Sequence, residues 1–370
     1  MCRENTKNIE GINNTMKICF IVGAFPRMKC GIGDYCSKLA IELANQGNEV
    51  SVITSTKASN DFKNINVYNI VDNWDRSNTK RIISKLKEIN PDIVNIQYPS
   101  DEYKNHYYIF NILPFIIKIR IRCKLTETIH EYDLTKLSKQ RKIRYFFNFI
   151  LMNKVIVVEE IFKTLIKNDF KKVNVNYIPI SSSIPKIELS EKEKDDIKDK
   201  LGFKEKNVIS YFGFVNEQKG VESLLKAISC IEDTQLLFLS ELDSNNNYHK
   251  EILELIEELD IKNKIIITGF MESELEVARY LSASDVCILP FTNGLKKRNS
   301  SFLAAYNQNI PIITTSSEND QDKDGIYFVA CNNTDELTKK IKVILEKNEK
   351  VNREELNWKR VAEQYINTFV

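Results

Sequence analysis

Short, apolar, β-branched runs alternate with amphipathic helical segments along nearly the whole chain, and this alternation restricts the fold more than any other feature. The first half contains runs over residues 17–22, 49–54, 65–70, 92–97, 124–129, 154–158 and 174–178. The second half contains runs over residues 207–212, 235–239, 264–268, 285–289, 310–314 and 326–330. Continuously apolar strands separated by helices are typical of parallel sheets covered on both faces. Two such series predict an α/β protein with two doubly wound, Rossmann-like domains.

Loop and charge patterns mark the predicted domain boundaries. Residues 1–15 are polar, lack the apolar core of a signal peptide and are predicted to be a disordered leader. The run Ser181-Ser182-Ser183-Ile184-Pro185 has loop composition. A charge-dense stretch over 188–200 follows it and is typical of a solvated helix. The predicted parts are therefore the leader, an N-terminal domain over 16–185, a linker over 186–206, a C-terminal domain over 207–350 and a terminal segment over 351–370. That last segment is predicted to carry a helix over 352–369 that packs back across the domains.

Composition excludes several classes of protein. The 370 residues carry a formal net charge of +2, which is too small for the basic field typical of nucleic-acid binders. The eight cysteines include no Cys-x-x-Cys pair and mostly lie in apolar runs, so we expect buried, reduced thiols in the cytosol. Only three histidines are present and none has a zinc-like spacing, so no metal site is predicted. The longest apolar stretch, over 107–117, is well short of the ~20 residues of a membrane-spanning helix.

A glycine pair, Gly31 and Gly33, follows the first predicted strand and precedes a helix predicted over residues 34–45. A dinucleotide-binding loop is excluded, because Cys36 occupies the third glycine position and the second strand ends without an acidic residue. A phosphate loop is excluded as well, because no Gly-Lys-Ser/Thr follows. Two interpretations stay open here, namely a tight turn or a loop that approaches a ligand at the N-terminus of the helix.

Two loops in the second half have anion-binding character. Lys219 and Gly220 precede a predicted helix, where an ammonium beside backbone donors can bind a diphosphate, although a solvated lysine fits the same pattern. Further on, Arg298 stands ahead of Asn299, Ser300 and Ser301, three small polar residues that can cap the next helix.

In their order and spacing, these blocks resemble the retaining glycosyltransferases of GT-B fold, in particular glycosyltransferase family 4. The N-terminal blocks are Gly-Ile-Gly-Asp-Tyr at 31–35, Asp-Ile-Val-Asn-Ile-Gln-Tyr-Pro at 92–99 and Thr-Ile-His-Glu at 128–131. The C-terminal blocks are Phe-Gly-Phe at 212–214, Lys-Gly-Val at 219–221, Gly-Phe at 269–270, Asp-Val-Cys-Ile-Leu-Pro-Phe at 285–291 and Pro-Ile-Ile-Thr-Thr at 311–315.

The resemblance implies two domains that face a cleft and a metal-independent, hexosyltransferase-like reaction without a cofactor. A nucleotide-diphosphate sugar would be held mainly by the C-terminal domain and the acceptor mainly by the N-terminal domain. The implied catalytic residues are His130, which would face the donor sugar, and Lys219 and Arg298, which would contact its phosphates. The implied donor-binding residues are Gly31, Gly33, Asn216, Gly269, Phe270, Met271, Ser300 and Ser301. The implied acceptor-side residues are Asp34, Tyr35, Gln97 and Tyr98.

The chain departs from the family pattern at three positions. Lys296 and Ala304 stand where many members have two glutamates eight residues apart, and Phe214 stands where an arginine often precedes the lysine. The chain does match the alternative Pro-Phe…Gly…Arg…Ser pattern of some members, which is why we expect Arg298 to contact phosphate. A catalytically silent GT-B protein that binds a nucleotide sugar or a partner, and a nucleotide-sugar epimerase, stay open as alternatives.

Residues 101–180 combine a basic excess with interleaved aromatic residues. This segment has 15 Lys and Arg against eight Asp and Glu. Such a surface predicts contact with an anionic membrane face and a lipid-linked acceptor, although core aromatics beside solvated lysines give the same composition. The prediction is therefore a cytoplasmic enzyme of cell-surface polysaccharide biosynthesis, placed at the inner face of the cell membrane.

Overall fold

The computed structural model describes residues 15–28, 30–103, 106–132, 137–203, 207–316 and 320–370. The chain divides into two compact units. The first comprises Met1–Ile180 and Trp358–Val370, and the second comprises Ser181–Asn357. The leader predicted over residues 1–15 lies, apart from Thr15, outside the described residues.

The first unit is built on a seven-stranded parallel sheet with the order β3-β2-β1-β4-β5-β6-β7. Its strands are β1 Lys17–Ile21, β2 Glu49–Ser55, β3 Asn66–Val71, β4 Ile93–Tyr98, β5 Lys124–Ile129, β6 Lys154–Val157 and β7 Val175–Tyr177. The strand order reverses between β1 and β4, and a crevice at the carboxyl ends of the strands forms at such a point in doubly wound sheets.

Helices cover both faces of this sheet. They are α1 Gly31–Asn45, α2 Thr79–Ile89, α3 Leu113–Arg120, α4 Lys139–Phe149, α5 Glu160–Asp169 and the C-terminal helix Trp358–Phe369. A π-helical turn, Tyr108–Ile112, leads directly into α3. Successive residues of β1 point to opposite faces of the sheet. Phe20 packs in the core formed with α1 and the C-terminal helix, whereas Ile21 packs in the core formed with α2 and α3.

The second unit is built on a six-stranded parallel sheet with the order β10-β9-β8-β11-β12-β13. Its strands are β8 Asn207–Phe212, β9 Thr234–Leu239, β10 Ile265–Ile267, β11 Val286–Leu289, β12 Ile312–Ser316 and β13 Ile326–Ala330. Its helices are α6 Glu191–Lys200, α7 Val221–Ser229, α8 Asn247–Glu258, α9 Glu274–Ser282, α10 Ser300–Asn307 and α11 Thr334–Lys347. Here the strand order reverses between β8 and β11.

The predicted fold class is confirmed, because each predicted apolar run is a strand and both sheets are parallel. Two helix boundaries differ from the prediction. Helix α1 begins at Gly31, because Gly33 lets its first turn pack against the chain, where a Cβ would lie 2.7 Å from the carbonyl oxygen of Ala24. The C-terminal helix begins at Trp358 and not at residue 352.

The segment predicted as a linker contains helix α6. Ser190 Oγ accepts a hydrogen bond from Glu193 N, and the Glu193 carboxylate accepts one from Ser190 N, which forms a capping box. Lys198 forms an ion pair of 2.7 Å with Asp285, directly before β11. These contacts attach the charge-dense helix to the second unit.

The expectation that the cysteines are buried is only partly met. Cys19, Cys36 and Cys287 are buried, but Cys230 is exposed at the end of α7. Among the described helices, none is both long and apolar enough to cross a bilayer.

Candidate functional site

In the second unit, glycines bring the loop after β8 against the loop after β11. Gly213 has a φ of 131°, and a Cβ on it would lie 3.3 Å from the Ser301 Cβ. Gly220 has a φ of 62°, and a Cβ there would lie 2.0 Å from the carbonyl oxygen of Pro290. Asn216 caps the intervening 3₁₀ turn, since its side chain accepts a hydrogen bond of 3.0 Å from Gln218 N. The two loops therefore meet where the strand order reverses, and larger side chains cannot replace the glycines there.

Lys219 is half-buried in this place. Its Nζ lies 5.0 Å from the centre of the Phe291 ring, and it has no hydrogen-bond acceptor among the described residues. Burial lowers the pKa of Lys219 below its ordinary value. A partly desolvated ammonium gains more from an anionic ligand than a solvated one does, so this position suits a diphosphate.

The N-terminus of α10 lies beside the same loops. Its N-cap residue, Asn299, makes no side-chain capping hydrogen bond, so the first amides of the helix are left for other acceptors. Ser300 is exposed, whereas Ser301 is 2% exposed and its Oγ has no hydrogen-bond partner among the described residues. Arg298 is half-buried just ahead of the helix. A buried unpaired hydroxyl beside uncapped amides is the donor set that phosphate oxygens need.

The positions of the missing glutamates differ in environment. Lys296 is exposed in the loop after β11, whereas Ala304 is fully buried inside α10. Because a side chain at position 304 packs in the core, the described structure offers no carboxylate at either position.

Two exposed aromatic residues lie in loops at the carboxyl edge of this sheet. Phe214 is 75% exposed after β8, and Phe270 is 64% exposed after β10. Gly269 turns the chain with a φ of 75° before Phe270, and Met271 follows half-buried. Exposed rings at this edge can stack on a base, and the adjacent backbone can bond to it.

In the first unit, His130 follows β5 and is held by a buried hydrogen bond. Its Nε2 lies 2.7 Å from Gln97 Oε1, and its backbone N donates to Tyr98 O at 2.8 Å. Gln97 Nε2 donates to Asn95 Oδ1 at 2.6 Å, and Thr128 Oγ1 donates to the same oxygen at 3.1 Å. The position of the histidine is therefore set by polar side chains inside the sheet.

The chain of hydrogen bonds continues to two tyrosines on helices. Tyr365 OH lies 2.9 Å from Thr128 Oγ1, and Tyr35 OH lies 2.9 Å from Tyr365 OH. The Tyr35 ring also contacts the edge of the His130 ring, with 4.8 Å between centroids. Tyr35 and Gln97, predicted on the acceptor side, are 3% and 0% exposed, so within this unit they support His130 and do not line an open surface.

The two glycines at the N-terminus of α1 differ in their surroundings. Gly33 is required for packing against Ala24, as a tight turn predicts, whereas a Cβ on Gly31 would meet nothing within 4 Å. The N-cap residue Cys30 makes no side-chain capping bond, and Asp34 is exposed in the first turn. Gly31 therefore leaves space beside uncapped helix amides.

A cavity of about 450 Å³ lies in the first unit, at the end of β4 and beside α4. Of the predicted acceptor-side residues, Tyr98 lines it. The other lining residues are Pro99, His106, Phe110, Glu131, Tyr132, Arg141, Arg144 and Tyr145. Apart from Tyr98, none of the lining residues is among the predicted site residues, because they come from separate loops and helices.

The sequence contains a signal for the His130 network, namely polar residues within otherwise apolar strands. Asn95 and Gln97 alternate along β4, and Thr126, Thr128 and His130 alternate along β5. Side chains two residues apart share a face of a strand, so this pattern indicates a polar cluster inside the sheet. Tyr365 has no comparable signal, because it is distant in sequence.

Comparison with known proteins agrees with the fold. Residues 206–347 match the family model described as "Glycosyl transferases group 1". An uncharacterized glycosyltransferase from Methanocaldococcus jannaschii is 24% identical over 298 residues, which cover 74% of each chain. Both comparisons concern glycosyltransferases, and the family match lies in the unit that carries Lys219 and α10.

Solved structures share the fold over nearly the whole chain. HepE from Anabaena, in complex with UDP, has a TM-score of 0.73 at 15% identity and covers 95% of this chain and 99% of its own. Sucrose-phosphate synthase from Thermosynechococcus elongatus has a TM-score of 0.71 at 15% identity and covers 95% of this chain and 98% of its own. These likenesses show the fold, namely two parallel-sheet, Rossmann-like domains that match GT-B glycosyltransferase structures.

Proposed function

We propose that the protein transfers a hexose from a nucleotide-diphosphate sugar to a glycan or lipid-linked acceptor, with retention at the anomeric carbon. The observation that carries this proposal is the pairing of the half-buried Lys219 ammonium with the uncapped N-terminus of α10. Both lie at the point of strand-order reversal in the second unit. HepE has been solved with UDP and with UDP-glucose, so a uridine diphosphate sugar is the first donor to test.

The donor diphosphate is assigned to Lys219, Arg298 and the first amides of α10, with Ser300 and Ser301 as hydroxyl donors. Loss of the nucleoside diphosphate leaves negative charge on its phosphate, and fixed cations and helix amides stabilise that charge. On this proposal the reaction needs no metal ion. The base is assigned to the backbone at Gly269 and Met271 and to the exposed ring of Phe270.

The acceptor is assigned to the first unit. His130 would contact the donor sugar, and Gly31, Gly33 and Asp34 at the start of α1 would lie near the reacting groups. These residues follow β5 and β1, and the carboxyl ends of parallel strands lie at one edge of a sheet. Tyr98 would contact the acceptor from the cavity beside α4.

An apolar face of α4 supports contact with a membrane. Ile143, Phe146, Phe147 and Ile150 recur at helical spacing on one side of the helix, and each is more than half exposed. Lys139 on α4 is exposed and adds positive charge beside this face, whereas Lys142 forms an ion pair with Asp169. An apolar stripe beside exposed positive charge fits the surface of an anionic bilayer. We therefore place the enzyme in the cytoplasm at the inner face of the cell membrane, in polysaccharide biosynthesis.

A catalytically silent protein is the second candidate, and the absence of carboxylates at Lys296 and Ala304 favours it. Incubation of the purified protein with UDP-glucose and an acceptor mixture separates the candidates. Release of UDP that depends on acceptor supports transfer, binding without turnover supports the silent protein, and an altered nucleotide sugar supports an epimerase.

Calorimetric titration with UDP tests the donor site. We expect Lys219→Ala to weaken UDP binding at least tenfold, since a charge-assisted bond contributes about 1.5–3 kcal/mol. Lys226→Ala is the matched control, because Lys226 is exposed on the adjacent helix α7 and loses the same charge. Equal UDP affinity in both variants would contradict the assignment.

A further inference from the structure

The cavity beside α4 has a continuous aromatic wall. Tyr98 and Phe110 lie 4.5 Å apart between ring centroids, Phe110 and Tyr145 lie 4.9 Å apart, and Tyr145 and Tyr132 lie 5.1 Å apart. Rings of this kind present apolar faces together with hydroxyl groups, a combination that suits the faces and hydroxyls of a sugar ring.

Two arginines one helical turn apart complete the cavity. Arg141 and Arg144 both line it, as residues three apart on α4 share a face. The Nε atom of Arg144 is buried and has no hydrogen-bond partner in the part of the chain that the structure describes. Guanidinium groups bind phosphate in a bidentate manner, so this pair is suited to an anionic group. Glu131 and His106 also line the cavity and can bond to hydroxyl groups.

The position of α4 relative to the aromatic wall is fixed by side-chain bonds to its neighbours. Asn111 Nδ2, in the π-helical turn, donates to the backbone oxygen of Arg144 at 2.9 Å. Asn148 Nδ2 donates to the backbone oxygen of Phe110. The arginines and the rings are therefore held in one arrangement before any ligand binds, which lowers the entropic cost of binding.

We infer that this cavity binds a sugar that carries a phosphate group, with Arg141 and Arg144 on the phosphate and the aromatic wall on the sugar ring. Resting on the proposed function, this assigns the acceptor as a phosphorylated sugar. The same chemistry occurs in a free sugar phosphate and in the head group of a lipid-linked one. The outward apolar face of α4 lies on the same helix as the arginines, so a head group anchored in a bilayer can reach the cavity.

The test is calorimetric titration of the full-length protein, saturated with UDP, with glucose 1-phosphate and with glucose. Saturation with UDP fills the proposed donor site, so that binding reports on a second site. We expect glucose 1-phosphate to bind at least tenfold more tightly than glucose. In Arg141→Gln/Arg144→Gln its affinity should fall at least tenfold, while UDP affinity changes less than twofold.

The matched control is Lys139→Gln/Lys167→Gln, which removes two exposed charges of the same unit, on α4 and α5, outside the cavity lining. Its affinity for glucose 1-phosphate should stay within twofold of the parent. If the double variant does not fold, Arg141→Gln alone replaces it, because Arg141 is exposed and its substitution should not affect folding. The affinity of this variant for glucose 1-phosphate should fall at least threefold. Equal losses in the arginine and lysine variants, or no loss in either, would overturn the inference.

Vesicles separate the two sources of ligand. Phosphatidylinositol and phosphatidylglycerol carry the same charge, but only the first presents a ring polyol on its phosphate. An arginine-dependent preference for phosphatidylinositol vesicles identifies a lipid-linked head group, and binding of glucose 1-phosphate without that preference identifies a free one. If the parent protein binds UDP but neither probe, the cavity assignment fails alone. If it does not bind UDP, the proposed uridine donor fails, and the same titrations without UDP decide the cavity assignment by the same criteria.

Discussion

Gln97 determines which nitrogen of His130 carries a proton. Oε1 of Gln97 lies 2.7 Å from His130 Nε2, while Nε2 of Gln97 donates to Asn95 Oδ1. Because the amide oxygen can only accept, His130 must donate from Nε2. The imidazole is thereby held with a proton on Nε2, and its ring is oriented by residues buried in the sheet.

Removing this acceptor should impair turnover more than donor binding. Gln97→Leu leaves the Nε2–H of His130 without a buried partner, so the ring can rotate or change tautomer. We expect kcat to fall at least tenfold, a changed pH–rate profile, and a KM for the donor within threefold. Tyr365→Phe, which lies further along the same chain of bonds, should have a smaller effect. Unchanged turnover and pH profile in folded Gln97→Leu would contradict this role.

Ser301→Ala should separate stability from ligand binding. The Ser301 hydroxyl is buried without a partner, so its removal should leave the free energy of unfolding unchanged or raise it by up to about 1 kcal/mol. UDP affinity should fall about three- to tenfold. Ser282→Ala is the control, because that buried hydroxyl donates to Gln308 at 3.0 Å and its loss should destabilise the protein by about 1 kcal/mol. A Ser301→Ala protein as destabilised as the control would show that the hydroxyl has a structural partner.

Glu127 makes stability depend on pH. Burial raises the pKa of this carboxyl group well above its ordinary value, and the side chain of Asn148 opposes this effect only in part. Below pH ~4 both the folded and the unfolded states are protonated. As pH rises, the unfolded state loses the proton first, so the folded state is destabilised by up to about 1.4 kcal/mol per pH unit.

Glu127→Gln removes this titration. Relative to the parent, the variant should gain on the order of 1–3 kcal/mol in unfolding free energy between pH 4 and pH 7. Urea unfolding at both pH values measures the difference. Glu258→Gln, at an exposed position of α8, should show almost no such gain. A difference that is independent of pH would contradict a neutral, buried Glu127.

The apolar face of α4 should be needed for vesicle binding and not for folding. Phe146 and Phe147 are 52% and 56% exposed, so Phe146→Ser/Phe147→Ser should change the thermal midpoint by only a few degrees. Co-sedimentation with phosphatidylglycerol vesicles at low salt should fall at least fivefold. Leu275→Ser/Val343→Ser removes comparably exposed apolar side chains from the second unit and should bind like the parent. Equal binding by both double variants would argue against this surface.

The fold was predictable because most strands of a parallel sheet covered on both faces are largely apolar. Each predicted run became a strand, whereas helix ends depended on contacts that periodicity does not reveal. Packing of Gly33 on Ala24 lets α1 begin before the predicted residue 34, whereas the charge-dense segment after Ser190 forms the solvated helix that its composition predicted.

The site was predictable only where its residues lie in the connections that follow strands. His130 directly follows β5 and Lys219 lies in the connection between β8 and α7, so their place at a sheet edge follows from the pattern. Arg141 and Arg144 reach the cavity only through the packing of α4, and Tyr365 reaches Thr128 across 237 residues of sequence. Composition likewise did not separate the exposed Phe146 from the buried Phe110, because that depends on which face of a helix is covered.

A crystal structure of the protein with UDP-glucose would locate the donor diphosphate. We expect the diphosphate to lie within hydrogen-bond distance of Lys219 Nζ, of the amides of Ser300 and Ser301, and of the Ser301 hydroxyl. A well-defined diphosphate bound away from Lys219 and the N-terminus of α10 would contradict this expectation.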